Sequence, residues 1–119
     1  MTDELLHALT RLLLRCCSPR RAYAIVTHVG KLLPPLVDRS DLVIAGARVR
    51  RRGTCLSRAL TLAARAPHAE LVIGVAPRAG QALFAHAWLE LGGEPIDRAE
   101  VAGVEIARLR RAGDAAAGV

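Results

Sequence analysis

The sequence predicts an α+β fold, with N-terminal helices leading into a cysteine-bearing helix and a small antiparallel sheet. Three observations carry this. Apolar residues recur at helical spacing through the first half of the chain. After Pro67 the period drops to two. Gly92-Gly93 then offers a hairpin turn between two strand-like segments.

Leu5, Leu6, Leu9, Leu12, Leu13 and Cys16 form the apolar stripe of a first helix, with Glu4, His7, Arg11 and Arg15 between them. Ser18-Pro19 reads as an N-cap followed by proline at the first helical position. Ala22, Ile25, Val26, Val29, Leu32 and Leu33 continue that second helix until Pro34-Pro35 stops it. Ser40-Asp41 caps a third through Leu42, Ala45 and Val49, although Val43-Ile44 also suits a strand. Thr54 caps a fourth from Cys55 to about Arg65, with Leu56, Ala59, Leu60 and Ala63 inward.

Leu71-Val72-Ile73-Gly74-Val75 suits a buried strand, and Pro77-Arg78-Ala79-Gly80 a turn. Residues 82–91 form the next strand, Glu94 to Arg98 the return, and Val101 to Leu109 a further strand. The 119 residues are the size of one domain. It divides into a helical part (1–52), a core that carries the candidate chemistry (53–110) and a flexible tail (111–119).

Hydrophobic residues make up 52% of the chain, enough for one core and too many for disorder. The charge is +6, nearly all of it from arginine, which first suggests nucleic acid. One Trp, one Tyr and one Phe leave little to stack on single strands, and no nucleic-acid-binding spacing is present. Neither nucleic acid nor membrane is therefore expected as a partner. The start, Met1-Thr2-Asp3-Glu4, lacks the basic head of a signal peptide, so a cytoplasmic location is expected. Three cysteines argue against a disulfide framework. No phosphate-binding Gly-rich loop is present, and no cofactor or metal is expected.

Cys55 stands at a helix start after Arg50-Arg51-Arg52-Gly53-Thr54. Helix-start N–H groups and nearby positive charge favour a thiolate, the reactive form. The same N–H groups can receive an oxyanion. A small buried hydrophobe is the competing reading. Cys16-Cys17, in mid-pattern on the first helix, are expected to pack in the core.

On the strand over 82–91, His86 shares a face with Phe84, Trp88 and Glu90. Leu83, Ala85, Ala87, Leu89 and Leu91 form the other, core face. Beside a helix-start cysteine, His86 is a candidate base. A two-residue turn at Gly92-Gly93 pairs Leu91 with Glu94 and so puts Asp97 opposite Trp88, on the His86 face. There Asp97 can orient the imidazole. A three-residue turn would put it on the wrong face. Glu90 ranks second for that role, because it points along the same strand.

Cys55-Leu56-Ser57-Arg58-Ala59-Leu60, then Leu71-Val72-Ile73-Gly74-Val75, then Ala85-His86-Ala87-Trp88-Leu89-Glu90 with Gly93 and Pro95, are the relevant words. They resemble the leader peptidase of lasso-peptide biosynthesis, in the stand-alone form of its peptidase half. That family belongs to the transglutaminase-like members of the papain superfamily. The resemblance runs from about Gly53 to Asp97. It implies a thiol peptidase that cuts the leader from a precursor peptide and frees the core amine for a separate macrolactam cyclase. A separate leader-binding protein delivers the precursor. It further implies Cys55 as nucleophile, His86 as base and then acid, and Asp97 as orienting acid.

No glutamine of the papain kind precedes Cys55, so the oxyanion falls to backbone N–H groups or to another polar side chain. Arg58 either approaches the substrate or makes a structural salt bridge. Trp88 either walls a cleft or packs helix against sheet. Two other functions stay open on the residues alone: acyl transfer to an amine, and peptide binding by an inactive relative.

Overall fold

The computed structural model describes residues 2–49, 53–78, 81–96 and 103–110. Among these, four helices precede four strands. The helices are α1 (Thr2–Cys16), α2 (Pro19–Gly30), α3 (Arg39–Val49) and α4 (Cys55–Arg65). The strands are β1 (Ala69–Arg78), β2 (Gln81–Leu91), β3 (Glu94–Pro95) and β4 (Val104–Leu109). The sheet has the order β3-β2-β1-β4 and is antiparallel throughout. The α+β expectation is met. No helix among the described residues is long and apolar enough to cross a membrane.

Helix α4 is the centre of the molecule. Leu60 and Ala64 are fully buried, and Ser57, Thr61, Leu62 and Ala63 nearly so. Helices α1, α2 and α3 pack around it, and β1 and β2 close the remaining side. Helix α2 approaches closely at Gly30, where a Cβ would meet the Ala64 carbonyl oxygen at 1.9 Å. Ser18 caps α2 as expected, its hydroxyl accepting from Arg21 N–H at 3.3 Å.

Two helices depart from the pattern in the sequence. Helix α1 turns Asp3, Leu6, His7 and Thr10 inward and leaves Leu5 and Leu12 exposed at 66% and 58%. The reason is the chemistry of the facing helix. Thr61 bonds Thr10 at 3.2 Å, Ser57 bonds His7, and Arg65 pairs with Asp3. Buried polar groups that find partners cost little, so the stripe rotates to satisfy them. Cys16 is thereby exposed and Cys17 half-buried, which corrects the expectation that both pack in the core. Helix α2 ends at Gly30, short of Pro34. Residues 31–33 continue it only through i→i−3 bonds, as the approach to proline disfavours the helical region.

The sheet separates its faces by the period of two. Leu71, Ala87 and Leu89 are buried against the helices, with Ile73, Leu91 and Leu109 beside them. Glu70, Val72, Gly74, His86, Trp88, Glu90 and Arg108 form the other face. Ala85 belongs to the helix-facing set by register but is exposed. At one end of the opposite face Arg108 bridges Glu70 at 3.1 Å, Glu90 at 2.8 Å and Glu105 at 2.7 Å. β3 is shorter than expected, ending at Pro95 with Ile96 in a bend; residues 97–98 of the expected return strand lie outside the described residues, as do 101–102 and 111–119.

Candidate active site

Thr54 adopts an extended conformation before α4, and its Oγ1 accepts from Ser57 N–H at 3.2 Å. In return Ser57 Oγ accepts from Thr54 N–H at 2.9 Å. This is a capping box with serine as the second member, and such a cap is worth about 1 kcal/mol. It makes Cys55 the first helical residue, where the N–H groups of Cys55 and Leu56 have no acceptor within the helix. The partial positive charge of the helix therefore falls around a half-buried thiol. The arginines at 50–52 lie outside the described residues.

The backbone N–H of Ala87 donates to Cys55 Sγ at 3.4 Å. Strand pairing explains this geometry. Leu91 pairs with Glu94, and Ile96 N–H donates to Leu89 O at 2.9 Å. Alternate residues of β2 thus face β3, and Ala87 is the next in that series. Beyond the end of β3, the N–H of Ala87 is turned to sulfur instead of a carbonyl. The thiol therefore meets the sheet at its edge, at the peptide unit that joins His86 to Ala87.

His86 is half-buried, and its Nδ1 is shielded from solvent. Its partner across the sheet on β1 is Gly74, which presents no side chain to it. Its neighbour two residues along, Trp88, is 5% exposed and donates its indole N–H to Glu90 Oε2 at 3.0 Å. Glu90 also accepts from Arg108, so both its oxygens are engaged. The two-residue turn at Gly92-Gly93 is present, with φ of 62° and 82°. That turn requires left-handed backbone at both positions, which glycine adopts without strain. Asp97 itself lies outside the described residues.

A cleft of about 220 Å³ opens beside Cys55. Leu42, Val43 and Gly46 of α3 form one wall, and Ala59 and Leu62 of α4 another. Leu89, Ile96 and Trp88 close it on the sheet side. Arg58 also lines it, with Nη1 donating to Gly53 O at 3.4 Å. Apart from Arg58 the walls are largely apolar, and Cys55 is part of the lining. Among the described residues, no group of three or more His, Cys, Asp or Glu side chains is placed to hold a metal ion.

Two residues at the site escaped sequence reading. Ser57 stands three positions after Thr54, the spacing of a capping box, and the signal was legible there. His7 gave no such signal, because it looked like the polar side of an amphipathic helix. It is 3% exposed, and its Nε2 lies 2.9 Å from Ser57 Oγ. Burial lowers its pKa below the ordinary histidine value, and the charges of Arg11 and Arg58 act in the same direction.

Comparison with curated proteins and with solved structures returns no match. A family model described as the transglutaminase-like superfamily matches residues 18–111, from the cap of α2 past the end of β4. That span is most of the chain and includes both Cys55 and His86. The chain belongs to the transglutaminase-like superfamily.

Proposed function

We propose that this chain is a cysteine peptidase that removes the leader from a lasso-peptide precursor, with Cys55, His86 and Asp97 as its triad. The superfamily includes cysteine peptidases and acyltransferases, which supports a thiol-based chemistry. One observation carries the reading most. Cys55 Sγ, at the first position of α4, accepts a hydrogen bond from the peptide unit that begins at His86, and Cys55 lines a largely apolar cleft. The lasso assignment itself rests on the sequence words around Cys55, Leu71 and His86.

In this reading the Cys55 thiolate attacks the carbonyl carbon of the last leader residue. The oxyanion is received by N–H groups at the start of α4. The C–N bond breaks as His86 delivers a proton to the core amine, leaving the leader as a thioester on Cys55. His86 then takes a proton from water, whose oxygen attacks the thioester carbonyl. The C–S bond breaks, and the leader departs with a free carboxylate. Asp97 holds the imidazole in its working tautomer throughout.

The test is mass spectrometry of a matched precursor incubated with the chain and a leader-binding protein. The proposal expects two products whose masses sum to the precursor plus one water, and none with Cys55→Ala. Cleavage that persists in Cys55→Ala contradicts it. An amine adduct at the leader carboxyl would instead indicate acyl transfer, and a protein that binds precursor without cutting it would be an inactive relative.

A further inference from the structure

Helix α1 ends at Cys16, outside the segment that matches the superfamily, yet it reaches the base of the candidate nucleophile. We propose that His7 of α1 is a positioning residue for Cys55: its Nε2 holds the Ser57 hydroxyl, which in turn holds the Thr54–Cys55 turn at the start of α4. This inference rests on the reading of Cys55 as the nucleophile.

Ser57 Oγ is the junction. It lies 2.9 Å from Thr54 N, 2.9 Å from His7 Nε2 and 3.0 Å from Thr54 O. The hydroxyl carries a single proton, and two arrangements use it fully. With Nε2 as acceptor, the proton goes to His7. With Nε2–H as donor, the proton goes to Thr54 O, and the oxygen accepts from both His7 and Thr54. In each arrangement His7 selects the hydroxyl orientation, and the lone pair that receives Thr54 N–H is kept in place. Ser57 is 2% exposed, so its side of these bonds is shielded from solvent.

The path of the backbone supports the same role. Gly53 has φ of +76°, and a Cβ there would lie 2.3 Å from Ser57 Oγ and 2.8 Å from His7 Nε2. The chain entering α4 is thus laid directly over the His7–Ser57 bond. Cys55 begins two residues later, with Thr54 as the only residue between. Displacement of the bond therefore moves the nucleophile. Two further α1 contacts do not involve the Ser57 hydroxyl, although Thr61, which Thr10 bonds, also donates to the Ser57 carbonyl oxygen at 2.8 Å. Thr10 meets Thr61 at 3.2 Å, and Asp3 meets Arg48 at 3.2 Å and Arg65. These hold α1 on the bundle without touching the turn, and they supply the control.

The experiment compares His7→Leu, His7→Gln, Ser57→Ala and Thr10→Val in the full chain. Urea unfolding reports stability. The rate of Cys55 alkylation by iodoacetamide, resolved by peptide mapping against Cys16, reports the nucleophile. His7→Leu and Ser57→Ala are expected to slow Cys55 about tenfold or more, with a changed pH profile and Cys16 unaffected. His7→Gln places an amide near the Nε2 position and is expected to recover most of the rate. Thr10→Val is expected to lose stability without slowing Cys55.

Equal Cys55 rates in His7→Leu and Thr10→Val, or no rescue by Gln, would overturn the proposal. If His7→Leu does not fold, Ser57→Ala against Thr10→Val decides it. Failure of the underlying reading looks different: wild-type Cys55 would then react no faster than Cys16, and the positioning role would fall with it.

Discussion

Cys55 Sγ lies 3.4 Å from the backbone nitrogen of Ala87, the residue that follows His86. One sulfur is thus approached by two kinds of positive dipole, the N–H groups at the start of α4 and an N–H from the edge of β2. Both direct partial positive charge toward the site of the thiol. The chain carries its own references for this effect in the exposed Cys16 and half-buried Cys17, which sit at the far end of α1.

Cys55 is therefore expected to react with iodoacetamide faster than Cys16 at the same pH. Peptide mapping after partial alkylation should find it labelled ahead of Cys16, although Cys16 is the more exposed. Labelling in order of exposure alone would remove the argument for activation.

Gly53→Ala should damage both stability and activity. The residue has φ of +76°, and its Cβ would crowd Ser57 and His7. Such backbone strain costs about 1–3 kcal/mol, and the crowded atoms are the Ser57 hydroxyl that caps the Cys55 helix and the His7 ring that bonds it. Urea unfolding should report the loss. A neutral Gly53→Ala would mean that the turn before Cys55 is not as tight as described.

Helix α3 controls the size of the cleft through Gly46. A Cβ there would sit 3.5 Å from Leu62 Cδ1, an ordinary contact, so Gly46→Ala fits. The larger Gly46→Val should fill the space beside Cys55. We expect Gly46→Val to raise KM for a matched precursor, with the rate of Cys55 alkylation by the small reagent iodoacetamide unchanged. Equal KM in both proteins would place the substrate elsewhere.

His7 links stability to acid pH. Its pKa in the fold is lowered, first by burial and then by Arg11 and Arg58. The unfolded chain keeps the ordinary value of about 6.5, so below that pH it binds a proton that the fold refuses. Stability is thus fully present above about pH 6.5 and declines as the pH falls below it. His7→Gln cannot take up that proton. Its urea midpoint should change less between neutral and mildly acid pH than that of the wild type. Parallel curves would show that His7 does not titrate differently on folding.

Much of this was legible in the sequence, and the limits have physical causes. The Ser18-Pro19 and Thr54 caps marked two helix starts, because capping is a local matter of one side chain and its own backbone. The Gly92-Gly93 turn fixed the register of β2 against β3 for the same reason. The alternation that set Ala87 and Leu89 apart from His86 and Trp88 also held. Helix α1 misled because its orientation is decided by a distant helix. Leucine periodicity pointed to Leu5 and Leu12, whereas Ser57, Thr61 and Arg65 drew His7, Thr10 and Asp3 inward. No local pattern in residues 2–16 contains that information. The cleft was illegible likewise, since α3, α4 and the β3 hairpin form it only together.

Covalent capture tests the central claim most directly. Wild-type chain is mixed with a matched precursor, quenched in acid within one turnover and weighed intact. The account predicts a protein heavier by the leader acyl group, with the adduct mapped to Cys55 and absent in Cys55→Ala. Precursor cleavage with no adduct on Cys55, and undiminished in Cys55→Ala, would contradict it.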